Sequence, residues 1–303
     1  MRRLPAAACG AAFAAALARI EANASGTLAG DPEALHQVRV GLRRLRSSLQ
    51  AYRGLLPEKK RKRFGREVRK LVRPLGEARD LDVFGAWLEA NAAPAAGVAA
   101  SMKARRTEAQ RDVQRTLSSK AWRRALADIG VLSGHAEAQV TPGLEFARDS
   151  IDRAHRKAMK HARRMDWSDD TDRHELRVKL KRLRYSCEFL GPLFPGRAAG
   201  DWLADLKRLQ DLFGELNDVR VGRDLLDAIA PGERRLHGLL DERRAALLRR
   251  LGPAWRSLER RRPFWHSSAR TPRRAATQAP ALGTRVPRPS GRRPLRTPAG
   301  RRG

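Results

Sequence analysis

Two segments of the sequence carry matching sets of side chains that could bind an anion. Each set consists of a histidine followed by three cationic residues at helical spacing. The two sets are His36, Arg39, Arg43 and Arg46, and His174, Arg177, Lys181 and Arg184. On a helix the members of the first set fall within an arc of about 80°, beside the apolar face. Guanidinium and ammonium groups donate charge-assisted hydrogen bonds to phosphate oxygens, so this spacing predicts a phosphate-binding stripe.

A second basic stripe follows the first along the chain. Its members recur at i, i+4, i+7 and i+11 and are Lys62, Arg66, Arg69 and Arg73. The corresponding part of the second segment has the cations Lys207 and Arg208. Like charges at this spacing repel each other unless counter-ions or a bound anion offset the repulsion. A solvated helix surface is the commoner explanation of such a charge run. The basic residues border the apolar face and keep their register in the second segment, however, which favours a binding role.

The remaining reactive residue types do not form a recognisable catalytic or metal site. The sequence has no P-loop motif, no HExxH and no CxxC, and its two cysteines, Cys9 and Cys187, are far apart. No nucleophile is spaced with a base. A histidine near a core face is usually a hydrogen-bonded packing residue, and this remains an alternative for His36 and His174. We therefore predict binding without catalysis, with no metal and no cofactor.

An internal repeat positions the two histidine sets. A constant offset of 138 residues places His36 on His174 and Leu45 on Leu183, and the register continues without a gap to residue 83. Acidic residues near the end of this register are duplicated as well, and we expect them to hold the arginines in place by ion pairs. They are Glu77, Asp80, Glu215 and Asp218. One ungapped register of this length indicates a duplication of a helical unit.

The pattern of apolar residues predicts an all-α protein with almost no strand. The predicted helices are 5–24, 33–55, 58–92, 94–117 and 120–132, followed by 143–165, 171–192, 197–229 and 231–262. Asp31 and Pro32 form a good helix start, with aspartate as the cap and proline in the first turn. The expected fold is a pair of pseudo-symmetric four-helix bundles, formed by repeats at about 5–132 and 143–262 that a linker at 133–142 joins.

The chain is strongly basic, with 64 lysines and arginines against 33 acidic residues and a net charge of +31. A charge of this size favours a polyanionic partner. A G+C-rich genome would explain an excess of arginine and alanine but not its arrangement in stripes. Residues 263–303 hold ten arginines and seven prolines, with no acidic residue and no hydrophobic periodicity. This Arg/Pro-rich tail is predicted to be disordered and able to bind any polyanion, including nucleic acid.

The N-terminal segment resembles a signal peptide, because an arginine pair precedes an alanine-rich run. Phe13, Leu17 and Ile20 recur at i, i+4 and i+7, however, and this spacing favours an amphipathic helix. No segment is long and apolar enough to predict a membrane span. We therefore expect a cytoplasmic protein.

The motifs HQVRVGLRRLRS and HELRVKLKRLRY, followed by long basic helices that run into LGEARDLDV and FGELNDVRV, resemble the CHAD domain, the conserved histidine α-helical domain. The resemblance covers roughly residues 10 to 262 and rests on a motif that occurs twice. It implies two four-helix bundles related by a pseudo-twofold axis, with a basic surface or channel between them that binds inorganic polyphosphate without catalysis. It also implies phosphate contacts by both histidine sets. Relatives often carry a CYTH domain with an ExExK motif, which this chain lacks, so we expect a stand-alone CHAD protein.

Inorganic polyphosphate is therefore the expected partner, since cationic side chains can follow its charges without reading any base. Non-specific nucleic-acid binding through the tail is the main alternative, although the sequence has only two tyrosines, Tyr52 and Tyr185, to stack on bases. A third alternative is an interaction protein at storage granules. The resemblance permits a cytoplasmic protein associated with polyphosphate or storage granules.

Overall fold

The computed structural model describes residues 6–53, 56–91, 96–137, 143–194 and 198–266 of the chain. The described residues form helices and turns and no strand, which confirms the predicted all-α class. The helices are α1 (Ala6–Ala22), α2 (Ala24–Ala29), α3 (Pro32–Ala51), α4 (Glu58–Asn91), α5 (Ala96–Ser118), α6 (Lys120–Glu137), α7 (Gly143–Ala162), α8 (Asp170–Leu190), α9 (Ala198–Ile229) and α10 (Arg234–Arg260). Within these ranges, no helix has the length and apolar character that crossing a membrane requires.

The two motif-bearing helices, α3 and α8, begin in the same way. The side chain of Asp31 accepts a hydrogen bond of 2.8 Å from the backbone N–H of Glu33, and Pro32 occupies the first turn. Asp169, at the repeat-related position, accepts one of 2.7 Å from the N–H of Asp172. A capping aspartate satisfies an otherwise unpaired N–H and favours the helix dipole. The predicted cap is therefore confirmed in α3, and the offset of the repeat extends to the cap of α8.

Helices that correspond by the repeat contact each other across the molecule. α3 packs on α8, and α4 packs on α9. Within the first half, α1 lies against α3 and α6, while α4 contacts α5; within the second half, α7 packs on α8 and α9 on α10. Equivalent helices that lie next to a two-fold axis contact each other in this way, and the pseudo-symmetry of the bundles stays a prediction.

The apolar stripes of these helices meet in a shared hydrophobic core. Phe13 and Ile20 of α1 are fully buried, as the amphipathic pattern predicts, and so are Leu45 of α3 and Leu183 of α8. α4 runs unbroken past Pro74 and turns Phe64, Val68, Leu71 and Leu75 to the core. Burial of one such side chain contributes about 1.5–3 kcal/mol, which explains how strongly basic helices are held together.

The structure corrects several predicted boundaries. The predicted helix 5–24 is interrupted at Asn23, whose side-chain amide donates to the carbonyl of Arg19 at 2.8 Å and competes with the helical hydrogen bonds. α6 continues to Glu137, into the predicted linker, and residues 138–142 of that linker lie outside the described residues.

The folded body extends beyond residue 262, where the predicted tail begins. Phe264 and Trp265 are buried in the core, and the indole of Trp265 donates to Asp152 at 2.6 Å. Two aromatic rings supply enough apolar surface to dock this end of the chain, although its composition is otherwise basic. Residues 267–303, the rest of the predicted tail, lie outside the described residues.

Candidate anion-binding site

A basic groove of about 500 Å³ lies between α3, α4 and α8. Nine of its described lining residues are cationic, and none is acidic. The cations are Arg39, Arg43 and Arg46 of α3, Arg61, Lys62, Arg66 and Arg69 of α4, and Lys181 and Arg182 of α8. Cations from three helices converge here because α3, packing on both α4 and α8, turns its apolar stripe to the core and its neighbouring basic stripe to the groove.

Arg39 is a partly buried cation of α3. Its Nη1 atom is buried and has no hydrogen-bond partner, so a donor of a charged group is left unsatisfied. A side chain at Gly76 of α4 would place its Cβ 3.1 Å from this Nη1. The absence of a side chain at Gly76 therefore lets the guanidinium of Arg39 pass close to the α4 backbone.

The α4 wall combines exposed cations with another unsatisfied donor. Arg66 and Arg69 are exposed, and Lys62 pairs with Glu58 at 2.6 Å on the same helix. Arg61 Nε is buried and has no hydrogen-bond partner. An exposed pair such as Lys62–Glu58 contributes little to stability, so it leaves the lysine available to an incoming anion.

Lys181 stands at the meeting point of the two repeats, where α8 crosses α3. Loss of hydration, followed by the charges of Arg177 and Arg43, lowers the pKa of Lys181 from 10.5 to about 7. The carboxylate of Asp218 acts in the opposite direction and only partly compensates. A cation held among other cations in this way gains stability from any anion that enters the groove.

The other groove cations also lie within each other's fields. Partial loss of hydration lowers the pKa of Arg46, and the charges of Arg69 and Arg182 lower it further. Arg46, Arg69 and Arg182 belong to three different helices, so the repulsion among them is a consequence of tertiary packing. Such a cluster destabilises the unliganded protein and favours an anion with several charges.

Two carboxylates lie behind the groove cations, at the junction of α3, α4, α8 and α9. Loss of hydration raises the pKa of Asp80, while the charge of Arg39 lowers it. Asp218 has the same pattern, with Arg177 as the cation that lowers its pKa. Asp80 and Asp218 therefore interact with Arg39 and Arg177 through their charges. Glu77 and Glu215 form ion pairs with Arg73 and Arg243.

The structure separates the sequence-predicted residues into three groups. Seven of them line the groove, namely Arg39, Arg43, Arg46, Lys62, Arg66, Arg69 and Lys181. His174 and Arg177 line a smaller neighbouring cavity with Asn217, whose Oδ1 lies 3.3 Å from His174 Nδ1. The remaining five do not line the groove and are His36, Arg73, Arg184, Lys207 and Arg208.

Four of these five residues have acidic partners that explain their positions. Arg73 and Lys207 are exposed and pair with Glu77 and Asp211 one helical turn later, while Arg208 pairs with Asp205. Arg184 pairs with Glu188 at 3.0 Å and lies over the ring of Tyr185. Loss of hydration and the charge of Arg79 lower the pKa of His36, which favours a neutral imidazole.

Sequence reasoning missed Arg61 and Arg182 as groove residues. Each lies outside the arc of its own stripe on the helix, so periodicity within one helix gave no signal for it. A signal for the asymmetry of the groove was present, however. The positions in α9 that correspond to Arg61, Lys62 and Arg66 are Ala199, Gly200 and Ala204, and only Arg69 has a cationic counterpart, Lys207. The matching part of α9 therefore supplies one cation where α4 supplies four.

Comparison with known proteins agrees with the motif analysis. The family model described as CHAD domain matches residues 11–227, well over half of the chain, and its match ends before α10. No curated protein matches. The crystal structure of the CHAD domain from the plant Ricinus communis is similar, with a TM-score of 0.65 and 27% identity, covering 86% of this chain and 91% of that chain. PptA from Streptomyces chartreusis has a TM-score of 0.63 at 15% identity, covering 83% and 99%, and this likeness is one of fold alone.

Proposed function

The chain belongs to the CHAD domain family, and we propose that it binds inorganic polyphosphate in the basic groove without catalysing a reaction on it. The observation that carries the proposal is the lining of the groove, where nine cations from three helices converge and no described lining residue is acidic. A flexible polymer with a charge on every phosphate can satisfy several of these donors at once. Arginine forks bind phosphate oxygens in bidentate fashion, and lysine acts as a point charge.

The composition of the groove favours polyphosphate over nucleic acid. Tyr185 is the aromatic member of the described lining, and its ring already lies beneath Arg184 and beside Phe189. Binding of a nucleic-acid strand normally adds stacking of bases on aromatic rings to the phosphate contacts. This groove offers charge and little stacking, which suits a polyanion that has no bases.

The same lining supports binding rather than turnover. Its charged groups are hydrogen-bond donors, and the described lining offers no carboxylate that could hold a divalent cation near the phosphates. Lys181, whose pKa is about 7, is the one basic group of this lining that accepts a proton near neutral pH, and we assign it to binding. Cleavage of a phosphoanhydride requires an activated nucleophile as well as charge stabilisation. We therefore assign the groove a binding role, with polyphosphate as the bound species.

Isothermal titration calorimetry of the full chain tests this function. Long-chain polyphosphate and duplex DNA are compared at equal phosphate concentration and ionic strength, and we expect at least about tenfold tighter binding of polyphosphate, or about 1.4 kcal/mol. Arg43→Ala with Arg66→Ala should weaken polyphosphate binding at least about tenfold, because each charge-assisted contact contributes about 1.5–3 kcal/mol.

The matched control removes the same charge outside the groove. Arg73→Ala with Lys207→Ala should leave polyphosphate affinity within about twofold, because both residues are exposed and paired with acids. Equal affinity of the wild-type chain for DNA and polyphosphate would contradict the assignment. Equal losses in the groove variant and its control would show that net charge, and not the groove, determines binding.

A further inference from the structure

A second basic cavity lies beside the groove and receives side chains from α7. We call it the α7 cluster. Its described lining is Gln50, Arg53, Ser150, Arg153, Ala154, Lys157, Lys179, Arg182 and Ser186. It has five cations and, among these residues, no acid. The cluster lies outside the sequence-predicted stripes, and its α7 residues do not line the groove.

The α7 cluster and the groove are adjacent. Gln50 and Arg182 line both cavities, so these two side chains lie where the cavities meet. Partial loss of hydration lowers the pKa of Arg53, and the charges of Arg153 and Arg61 lower it further. Arg153 belongs to the cluster and Arg61 to the groove, so Arg53 lies within the fields of both.

The cluster has unsatisfied hydrogen-bond donors. Arg153 Nε is buried and has no hydrogen-bond partner. The other end of the same guanidinium makes only weak contacts, since Nη2 donates to Ser150 Oγ at 3.2 Å and Nη1 lies 4.0 Å from Asp149. An unsatisfied buried donor is destabilising, more so when it is charged, and an anion in the cavity would satisfy it.

In the described part of the first repeat, Arg19 and Arg44 correspond to Lys157 and Arg182, but other members of the cluster have small, uncharged counterparts. The same offset of 138 residues places Ala12, Ala15 and Gly41 at the positions of Ser150, Arg153 and Lys179. A Cβ at Gly41 would lie 2.6 Å from Ile20 Cγ1, so α1 packs tightly on α3 where α7 leaves room beside α8. The set of cluster residues at these positions is therefore specific to the second repeat.

We propose that the α7 cluster is a second compartment of the polyanion site, which a polyphosphate chain enters only when it is long enough to extend from the groove past Arg182. This inference rests on the proposed function and adds selection for chain length to it. A short chain satisfies the groove alone. A long chain binds both compartments, and the second contact is then intramolecular, so its local concentration is high and affinity rises without a second binding event.

The experiment compares tripolyphosphate with long-chain polyphosphate on the full chain by calorimetry. The cluster variant is Arg153→Ala with Lys157→Ala. We expect it to bind tripolyphosphate within about twofold of wild type and long chains at least about tenfold more weakly, because two charge-assisted contacts are lost. Arg156→Ala with Lys160→Ala is the matched control, since it removes the same charge from the same helix outside both cavities. It should leave both affinities unchanged.

The possible outcomes distinguish failure of this inference from failure of the proposed function. If wild type binds long chains and the cluster variant binds them equally well, the second compartment does not exist while the groove stands. If the cluster variant loses affinity for both ligands in the same proportion, the two cavities act as one site and selection for length is wrong. If wild type binds neither polyphosphate, both the proposed function and this inference fail.

Discussion

Lys181 should couple polyphosphate binding to the uptake of a proton. Its pKa of about 7 in the unliganded protein means that the ammonium is largely charged at pH 6 and largely neutral at pH 8. A bound polyanion adds negative charge beside Lys181 and raises its pKa, so the lysine takes up a proton as the ligand binds. The affinity for polyphosphate should therefore fall as the pH rises through 7.

The magnitude follows from the fraction of Lys181 that is already charged. If the bound state holds the lysine fully protonated, affinity is proportional to that fraction, which is about 0.9 at pH 6 and about 0.1 at pH 8. The expected loss between these values is about tenfold, or about 1.4 kcal/mol. Proton uptake should be about 0.5 per binding event at pH 7 and about 0.9 at pH 8.

Calorimetry in buffers of different ionisation enthalpy measures this uptake directly. The end groups of polyphosphate titrate in the same pH range and would add to the measured uptake. Long polyphosphate is the suitable ligand because it has few end groups. Lys181→Arg keeps the charge at all these pH values and should abolish the uptake, with an affinity that no longer depends on pH between 6 and 8. Lys181→Met should also abolish it, at an affinity close to that of wild type at high pH.

Guanidinium groups keep their charge at these pH values, so the arginines that face Lys181 add no proton uptake of their own. The carboxylate of Asp218, whose pKa burial raises, is retained in Lys181→Arg, so any proton that it takes up would persist in that variant. Loss of hydration lowers the pKa of His36, which places its titration on the acidic side of the window. An uptake at pH 8 that persists in Lys181→Arg, or is absent from wild type, would refute the reasoning.

Three further predictions follow from the groove. Gly76→Ala should weaken polyphosphate binding about threefold, because the added Cβ displaces Arg39 Nη1. Gly214→Ala is the control and should leave binding unchanged, because its Cβ meets open space. Both substitutions favour the helix by about 1 kcal/mol, so thermal unfolding should show no loss of stability. The logarithm of the polyphosphate binding constant should fall as the logarithm of salt concentration rises, with a slope steeper than about −4. The basis is nucleic-acid binding, in which each contacted phosphate adds ~0.7–0.9 to the magnitude of this slope. A flat salt response would contradict electrostatic binding. Incubation of the purified protein with long polyphosphate and Mg²⁺ or Mn²⁺ should leave the chain length on gels unchanged, and shortening that co-purifies with the protein would contradict a binding role.

Much of the fold could be predicted from the sequence because its determinants are local. Capping by Asp31 and the buried stripe through Leu45 are properties of single helices, and the repeat carries both to the second half. The break at Asn23 and the docking of Trp265 were missed. The first depends on one side-chain hydrogen bond, and the second on an aromatic pair within a segment whose composition indicates a tail.

The site was harder to predict than the fold, since a helical wheel defines the faces of one helix and not which helix lies opposite. Arg44 and Arg182 show this limit, because they correspond by the repeat and are the same residue type. Arg44 lies over the ring of Phe189, 5.7 Å from its centroid, while Arg182 lines both the groove and the α7 cluster. Only the packing of neighbouring helices distinguishes the two positions.

The two repeats differ in opposite ways, and under the proposed function these differences predict one asymmetric site instead of two equal ones. In the first repeat, Gly41 lets α1 close over α3, while Arg66 and its neighbours make α4 the wall of the groove. In the second repeat, Lys179 occupies the position of Gly41 and α7 opens a further cavity, while Ala204 replaces the wall cation. Each repeat thus supplies cations at positions where the other has small, uncharged residues. A polyanion that follows the cations from the α4 wall, past Lys181 and Arg182, to α7 has a single path, which favours one polymer chain per protein.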